Sequence, residues 1–242
     1  MSLKEQPELT VRPTTTKSGL NALLIACGLT ILINYVPMAS IALYPIRLFV
    51  TFVHESSHAL TAILTGGRVS EIVIHPDASG VTLTTGGFEP AIAAAGYLGA
   101  TAFGAWLLAL GRTPGRARFA LLASALISGL ATALCVHPWV NLFGFLWGVV
   151  ITVGLVVARN CLRAASAELL AMFLGVQCAI NALLDLRTLI ELSVYQGQPT
   201  DAALMAALTG IPATVWALTW GALALVIVIG GVLPYWKQVK NR

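Results

Sequence analysis

Long apolar stretches separated by short polar loops dominate the chain. They run from about Gly19 to Val36, from Ile41 or Tyr44 to Leu64, and near Pro90 to Leu110, Phe119 to Val136, Leu142 to Ala158, Ala167 to Leu192 and Ile211 to Tyr235. About 20 apolar residues are needed to cross the hydrocarbon core of a bilayer as a helix. The pattern therefore predicts an all-α polytopic membrane protein with six to seven transmembrane helices.

One region, residues 68–88, breaks the helical pattern. Val69–His75 is rich in β-branched residues, Pro76–Gly80 carries turn residues, and Val81–Thr85 alternates apolar residues with threonine. Two short strands around a turn are typical of a β-hairpin. We therefore expect one β-hairpin insertion after the second helix, and a short surface helix within residues 191–208.

Composition supports a membrane environment. Hydrophobic residues make up 57% of the 242 residues and charged residues 10%, with a mean hydropathy of +0.85. Soluble domains carry about 25% charged residues, so the lipid bilayer is the expected surrounding. The net charge of +4 comes from basic residues in short loops and at the ends, where membrane proteins place them. No basic run is interleaved with aromatic residues, so no nucleic-acid partner is expected.

The chain divides into one large domain and two tails. Residues 1–18 are predicted to form a polar N-terminal tail without the apolar core of a signal peptide. Residues 19–236 form a single transmembrane domain, and residues 237–242 a basic C-terminal tail. The arginine-rich loops near residues 112–118 and 159–163 are predicted to be cytoplasmic, since basic loops stay on that side of the membrane.

The second apolar segment contains an H-E-x-x-H motif, formed by His54, Glu55 and His58. Residues four apart lie on the same face of a helix, so both imidazoles can reach one zinc ion at about 2.0–2.1 Å. The glutamate then lies beside the metal, where it can take a proton from a bound water whose pKa the metal lowers to about 7. Such residues are costly in an apolar span and are functional candidates by default. The alternative is that the histidines bond to neighbouring helices and Glu55 pairs with a basic residue.

A catalytic zinc usually has three protein ligands and an open position for water. The candidates for the third ligand are Asp185, Glu168, Glu191, His137 and His75. Asp185 is favoured, because it lies deep in an apolar segment where an unpaired carboxylate would be expensive. A salt bridge of Asp185 with Arg47 or Arg187 is the alternative.

The chain resembles the site-2 protease-like intramembrane zinc metalloproteases, of the compact bacterial type without a PDZ domain. The resemblance covers most of residues 45–225 and is carried by TFVHESSHALTAILTGGRVSEIVIHPDASGVTLTTGG, by AAAGYLGATAFGAWLL and by NALLDLRTLIEL. It implies Zn²⁺ held by His54, His58 and the later aspartate Asp185, with Glu55 as the general base. This sequence departs from the family pattern at Ser57, where glycine is frequent, and at Leu186, where glycine commonly follows the aspartate.

The resemblance also implies an activity and a location. We expect an endopeptidase that cleaves membrane-embedded protein substrates and lies as a multi-pass protein in the bacterial plasma membrane. The hairpin residues Val81, Thr82 and Leu83 are expected to bind substrate by strand addition, since an unwound substrate needs new backbone partners. Asn181 is a further substrate-binding candidate. A non-catalytic metal-binding protein and a transporter-like module are the alternatives.

Overall fold

A computed structural model describes the backbone of residues 15–35, 39–191 and 200–240, and side chains within residues 20–30, 32, 41–180 and 200–233. The helices are α1 (Thr15–Tyr35), α2 (Ala39–Ala42), α3 (Tyr44–Leu64), α4 (Glu89–Leu110), α5 (Pro114–Cys135), α6 (Leu142–Cys161), α7 (Ala164–Glu191), α8 (Asp201–Thr209) and α9 (Ala213–Lys240). The strands are β1 (Arg68–Ile74) and β2 (Gly80–Thr85).

Four helices in the described part of the chain are long and apolar enough to cross a membrane, judged by length and composition. They are α4, α5, α6 and residues 213–233 of α9. The described chain is therefore mostly helical, with four candidate membrane spans and one small hairpin, in agreement with the class of fold that the sequence predicts. The larger count of six to seven crossings stays a prediction.

Several helix boundaries differ from those read from hydrophobicity. Helix α5 begins at Pro114, five residues before the predicted start at Phe119. Proline suits the first turn of a helix, because backbone N–H groups there have no acceptor within the helix and the missing N–H of proline costs nothing. Helix α1 begins at Thr15, inside the predicted N-terminal tail, and α9 continues to Lys240, inside the predicted C-terminal tail. The rest of both tails lies outside the described residues.

Helix α4 is the centre of the packing. It contacts α3, α5, α7, α8 and α9. Its sequence is rich in glycine and alanine, and Gly104 packs so closely on α7 that a Cβ there would lie 2.8 Å from the carbonyl oxygen of Gly175. Small residues allow such close approach of helices in membranes. The main core is completed by Leu48, Phe49 and Phe52 of α3, all fully buried.

The hairpin lies against α3. Its two antiparallel strands pair Ile72 with Thr82 and Ile74 with Gly80, with an irregularity between Val69 and Glu71. Ile72 and Ile74 are fully buried. The chain returns to α4 through Gly86 and Gly87, which both have positive φ, a conformation that glycine adopts without steric cost.

A short helix, α8, follows the undescribed residues 192–199 and falls within the region where the sequence predicts one. Thr200 caps its N-terminus by accepting a hydrogen bond from the amide of Ala203 at 3.1 Å. Gly210 ends the helix in the left-handed conformation, a common helix terminator. Helix α8 packs on α4 and α9, so its first residue, Asp201, has a fixed place relative to both.

Candidate metal centre

Helix α3 presents the two histidines of the motif on one face. The Nε2 atoms of His54 and His58 lie 3.0 Å apart, as the helical spacing predicts. The edge of His54 also meets the ring of Tyr97 on α4, with 4.9 Å between the ring centres. Both imidazoles therefore point between α3 and α4.

The ring of His58 is oriented by a backbone carbonyl. Its Nδ1 atom lies 2.6 Å from the carbonyl oxygen of Ile92. A carbonyl oxygen only accepts hydrogen bonds, so Nδ1 carries the proton and donates it. In the neutral ring this leaves the lone pair on Nε2, facing His54. A carbonyl partner of this kind is what metal-binding histidines usually have on their second nitrogen.

Asp201 of α8 supplies a carboxylate to the same point. Its Oδ2 atom lies 3.3 Å from Nε2 of His54 and 3.3 Å from Nε2 of His58. Burial alone would favour the neutral acid, but when the two histidines are protonated, their hydrogen bonds and positive charge hold the pKa of Asp201 well below its usual range. The carboxylate is thus ionised, as a metal ligand must be.

The three groups form a set that could hold a metal ion. Zinc ligands at about 2.0–2.1 Å in tetrahedral geometry would lie about 3.3 Å from one another, and the separations here are 3.0, 3.3 and 3.3 Å. Space for an ion depends on Gly96, where an added Cβ would overlap the Nε2 atoms of both histidines. Two imidazoles and one carboxylate at these separations fit zinc.

Glu55 is buried beside this set, with 3% of its surface exposed. Its Oε2 atom accepts a hydrogen bond from the hydroxyl of Thr82 on β2 at 2.6 Å. Among the described residues Glu55 forms no salt bridge with lysine or arginine, so the alternative in which Glu55 pairs with a basic residue gains no support. The hairpin, rather than a basic side chain, is the neighbour of this carboxylate.

The structure places only some of the predicted ligands at the candidate metal centre. The side chains of His54 and His58 lie together, as predicted. The acidic side chain beside them is that of Asp201, which was not among the predicted ligands. Asp185 lies on α7 in a part of that helix whose side chains are not described, as does Asn181, so both of their roles stay predictions. Glu191 is in the same position.

The remaining ligand candidates lie elsewhere. His137 has its Nδ1 atom 3.8 Å from an oxygen of Glu71 on β1. His75 is exposed beside the hairpin turn, and Glu168 is buried on α7. None of these three belongs to the described cluster around His54.

The hairpin residues expected to bind substrate face two directions. Thr82 points inward to Glu55, whereas Val81 and Leu83 are 42% and 48% exposed. This alternation follows from the strand geometry, in which successive side chains point to opposite faces. Val81 and Leu83 therefore lie on the outer face of the strand and Thr82 on the face toward α3, and the substrate-binding roles of all three stay predictions.

Asp201 carried a weak signal in the sequence. It is the only acidic residue after Glu191 and directly follows a threonine suited to cap a helix. It lies between two long apolar segments, where a carboxylate is not costly, so the sequence pattern does not single it out as a ligand. Only the packing of α8 on α4 brings it to the histidines.

The departure at Ser57 has a local explanation. Its hydroxyl donates to the carbonyl oxygen of Val53 at 2.8 Å, within its own helix. The side chain faces Gly99 of α4, where a Cβ would lie 2.6 Å from the Cβ of Ser57. Because Gly99 has no side chain, α4 leaves space for the side chain of Ser57 on α3.

The class of protein follows from these features. An H-E-x-x-H helix with a converging aspartate, set among membrane-crossing helices, defines a membrane-bound metalloprotease. The model of one protein family, Peptidase M50B-like, matches residues 22–231. The chain belongs to this family of site-2 protease relatives, which are zinc metalloproteases. Searches of curated proteins and of solved structures find no match. The predicted resemblance is confirmed.

Proposed function

We propose that this protein is an intramembrane zinc metalloendopeptidase that cleaves membrane-embedded protein substrates. The observation that carries the proposal is the meeting of His54, His58 and Asp201 beside the buried carboxylate of Glu55. Metal binding alone needs no proton acceptor next to the ligands, whereas peptide hydrolysis does. The family points in the same direction.

Each residue has a role in this proposal. His54, His58 and Asp201 hold the zinc, and the carbonyl of Ile92 keeps the ring of His58 in the right tautomer. When bound, zinc would polarise the carbonyl group of the substrate and lower the pKa of a bound water to near neutral pH. Glu55 accepts that proton and passes it to the leaving amine of the cleaved bond.

The hairpin is proposed to receive the substrate. A peptide bond inside a transmembrane helix is screened by the helix's own hydrogen bonds, so the substrate must unwind locally before cleavage. Unpaired amides in lipid cost several kcal/mol each, and a strand edge can pair with them. Strand β2 carries the exposed Val81 and Leu83 directly beside Thr82, which touches Glu55. The partners in this proposal are a membrane protein substrate and the lipid bilayer, in the bacterial plasma membrane.

The test compares wild type with Glu55→Gln. Purified protein is reconstituted in bilayer vesicles together with a single-pass transmembrane helix that is labelled at both ends. In a separate assay the protein is given labelled casein, a generic protease substrate. We expect the wild type to cleave and Glu55→Gln to lose activity by about 100-fold or more, since general bases contribute about 10²–10⁴-fold. Zinc content should be equal in the two proteins.

Asp77→Asn serves as the matched control, because Asp77 is an exposed carboxylate on the hairpin turn whose hydrogen bonds, among the described residues, go to Ser79 alone. It should cleave like wild type. Zinc binding without any cleavage by wild type would instead indicate a non-catalytic metal-binding protein. Equal cleavage by wild type and Glu55→Gln would show that Glu55 is not the base.

A further inference from the structure

Thr82 makes a specific contact with the buried carboxylate. Its Oγ1 atom lies 2.6 Å from Oε2 of Glu55 and 3.1 Å from the backbone oxygen of the same residue. A threonine hydroxyl has one proton to donate. The shorter contact is with the carboxylate, and hydrogen bonds to charged groups are the stronger ones, so the proton is directed to Oε2.

The turn of the hairpin that carries Thr82 is hydrogen-bonded to α3. The hydroxyl of Tyr44 donates to the carbonyl oxygen of Pro76 at 2.6 Å, and that of Thr51 donates to the carbonyl oxygen of Ala78 at 2.6 Å. Tyr44, Thr51 and Glu55 follow one another at seven and four residues, so they lie along one face of the helix. The hairpin is therefore fastened along the face that carries the carboxylate.

Close packing at Gly80 restricts the carboxylate further. A Cβ at Gly80 would lie 2.7 Å from Oε1 of Glu55 and 2.8 Å from its Cγ. The backbone of β2 thus lies directly against the side chain of Glu55. Helix α3 provides Glu55, but strand β2 fixes where its oxygens are.

We infer that Thr82 is a positioning residue for Glu55, which orients the carboxylate of the general base through the bond to Oε2. This inference rests on the proposed protease function. It also changes the role of Thr82, which we had expected to contact substrate. Its neighbours Val81 and Leu83 face outward and remain available for that contact.

The distinction from a merely structural role lies in which kinetic constant changes. Thr82→Val keeps the shape of the side chain and removes the hydroxyl, whereas Thr82→Ser keeps the hydroxyl. We expect Thr82→Val to lower kcat about 10- to 100-fold, the size typical when a hydrogen-bond partner of a metal-site residue is lost. KM and zinc content should be unchanged, and Thr82→Ser should restore most of kcat.

Thr84→Val is the matched control. Thr84 lies two residues further along β2 with a similar half-buried side chain, and within the described part of the chain its hydroxyl has no hydrogen-bond partner. This variant should keep the wild-type kcat. A fall of kcat in both variants would show that any threonine-to-valine change in the strand is harmful, and would overturn the inference.

A second measurement is independent of activity. Thermal unfolding of the chelator-treated protein is followed for Glu55→Ala, which removes the acceptor of the Thr82 hydroxyl, for Thr82→Val and for the double variant. Removal of a hydrogen bond to a buried carboxylate should lower Tm by about 2–4 °C, and the double variant should lose no more than the larger single loss. Additive losses in the metal-free protein would mean that the two side chains do not interact.

The results separate this inference from the proposed function. If Glu55→Gln is inactive while Thr82→Val retains full kcat and its Tm loss adds to that of Glu55→Ala, the inference is wrong and the protease function stands. If Glu55→Gln cleaves like wild type, the protease mechanism fails first. A coupled Tm loss would then still establish the bond but not its catalytic role.

Discussion

The Oδ2 atom of Asp201 lies 3.3 Å from the Nε2 atom of His54, although the two residues belong to helices from opposite ends of the domain. Helix α3 is held by α4 and the hairpin, and α8 is held by α4 and α9. Helix α4 is common to both sets of contacts. The metal centre is therefore completed only when the N-terminal and C-terminal parts of the chain have packed on the same helix.

Replacement of Asp201 tests its place in the metal centre. We expect Asp201→Ala to lose zinc affinity by more than the 10- to 100-fold typical of outer-shell partners, since a ligand is removed. Zinc per chain is measured by atomic spectroscopy after dialysis against a weak chelator. Asp77→Ala should retain wild-type zinc.

Asp185→Ala decides between the two aspartates. With Asp201 as third ligand, the Asp185 variant should keep its zinc, because a catalytic site has three protein ligands and one open position. Full zinc in Asp201→Ala together with loss in Asp185→Ala would instead support the ligand set expected from the sequence.

The contrast between Asp201 and Asp185 shows what the sequence could reveal. His54 and His58 are linked by local helical geometry, so their spacing alone predicted that they would meet. The third ligand has no local link to them. Depth in an apolar segment favoured Asp185, while the position of Asp201 depends on how α8 packs on α4, which no sequence period encodes.

In the hairpin, too, the local structure could be predicted from the sequence but its packing could not. Its turn residues and the alternation in Val81–Thr85 predicted two strands correctly. Successive strand residues face opposite sides, but the alternation alone does not determine which side meets the metal centre. That choice depends on the buried isoleucines Ile72 and Ile74, which fix the inner face against the helices.

Asn141 is expected to stabilise the junction of hairpin and helices. Its Nδ2 atom donates to the carbonyl oxygen of Ile74 at 2.8 Å, and its Oδ1 atom caps α6 by accepting from the amide of Gly144. We expect Asn141→Ala to cost about 2–3 kcal/mol, from a lost cap and a buried carbonyl without a partner. Thermal or denaturant unfolding measures this loss.

Asn160→Ala provides the comparison. Asn160 is exposed near the end of α6, and in the described part of the chain its side-chain oxygen accepts from Arg159 alone. Its removal should change stability by less than about 0.5 kcal/mol. Equal losses in the two variants would argue against the junction at Asn141.

The outward face of β2 is predicted to contribute to substrate binding. Val81→Ser with Leu83→Ser removes two exposed apolar side chains and leaves Thr82 in place. We expect a higher KM for the transmembrane substrate with little change in kcat. Leu126→Ser, a similarly exposed position on α5, should leave both constants unchanged. An unaltered KM in the double variant would separate the hairpin from substrate recognition.

Gly96 is predicted to be essential for metal binding because of the space it leaves. An added Cβ would overlap the Nε2 atoms of His54 and His58, which are the atoms that would bind the ion. Alanine is a better helix former than glycine by about 1 kcal/mol, so a substitution without steric conflict should stabilise α4. We expect Gly96→Ala to remain folded but to lose zinc and proteolysis together. Gly154→Ala on α6 is the matched control, since no atom lies within 4 Å of its added Cβ. The control should retain zinc and activity with equal or higher Tm, whereas wild-type zinc content in Gly96→Ala would show that the ion does not lie between these two imidazoles.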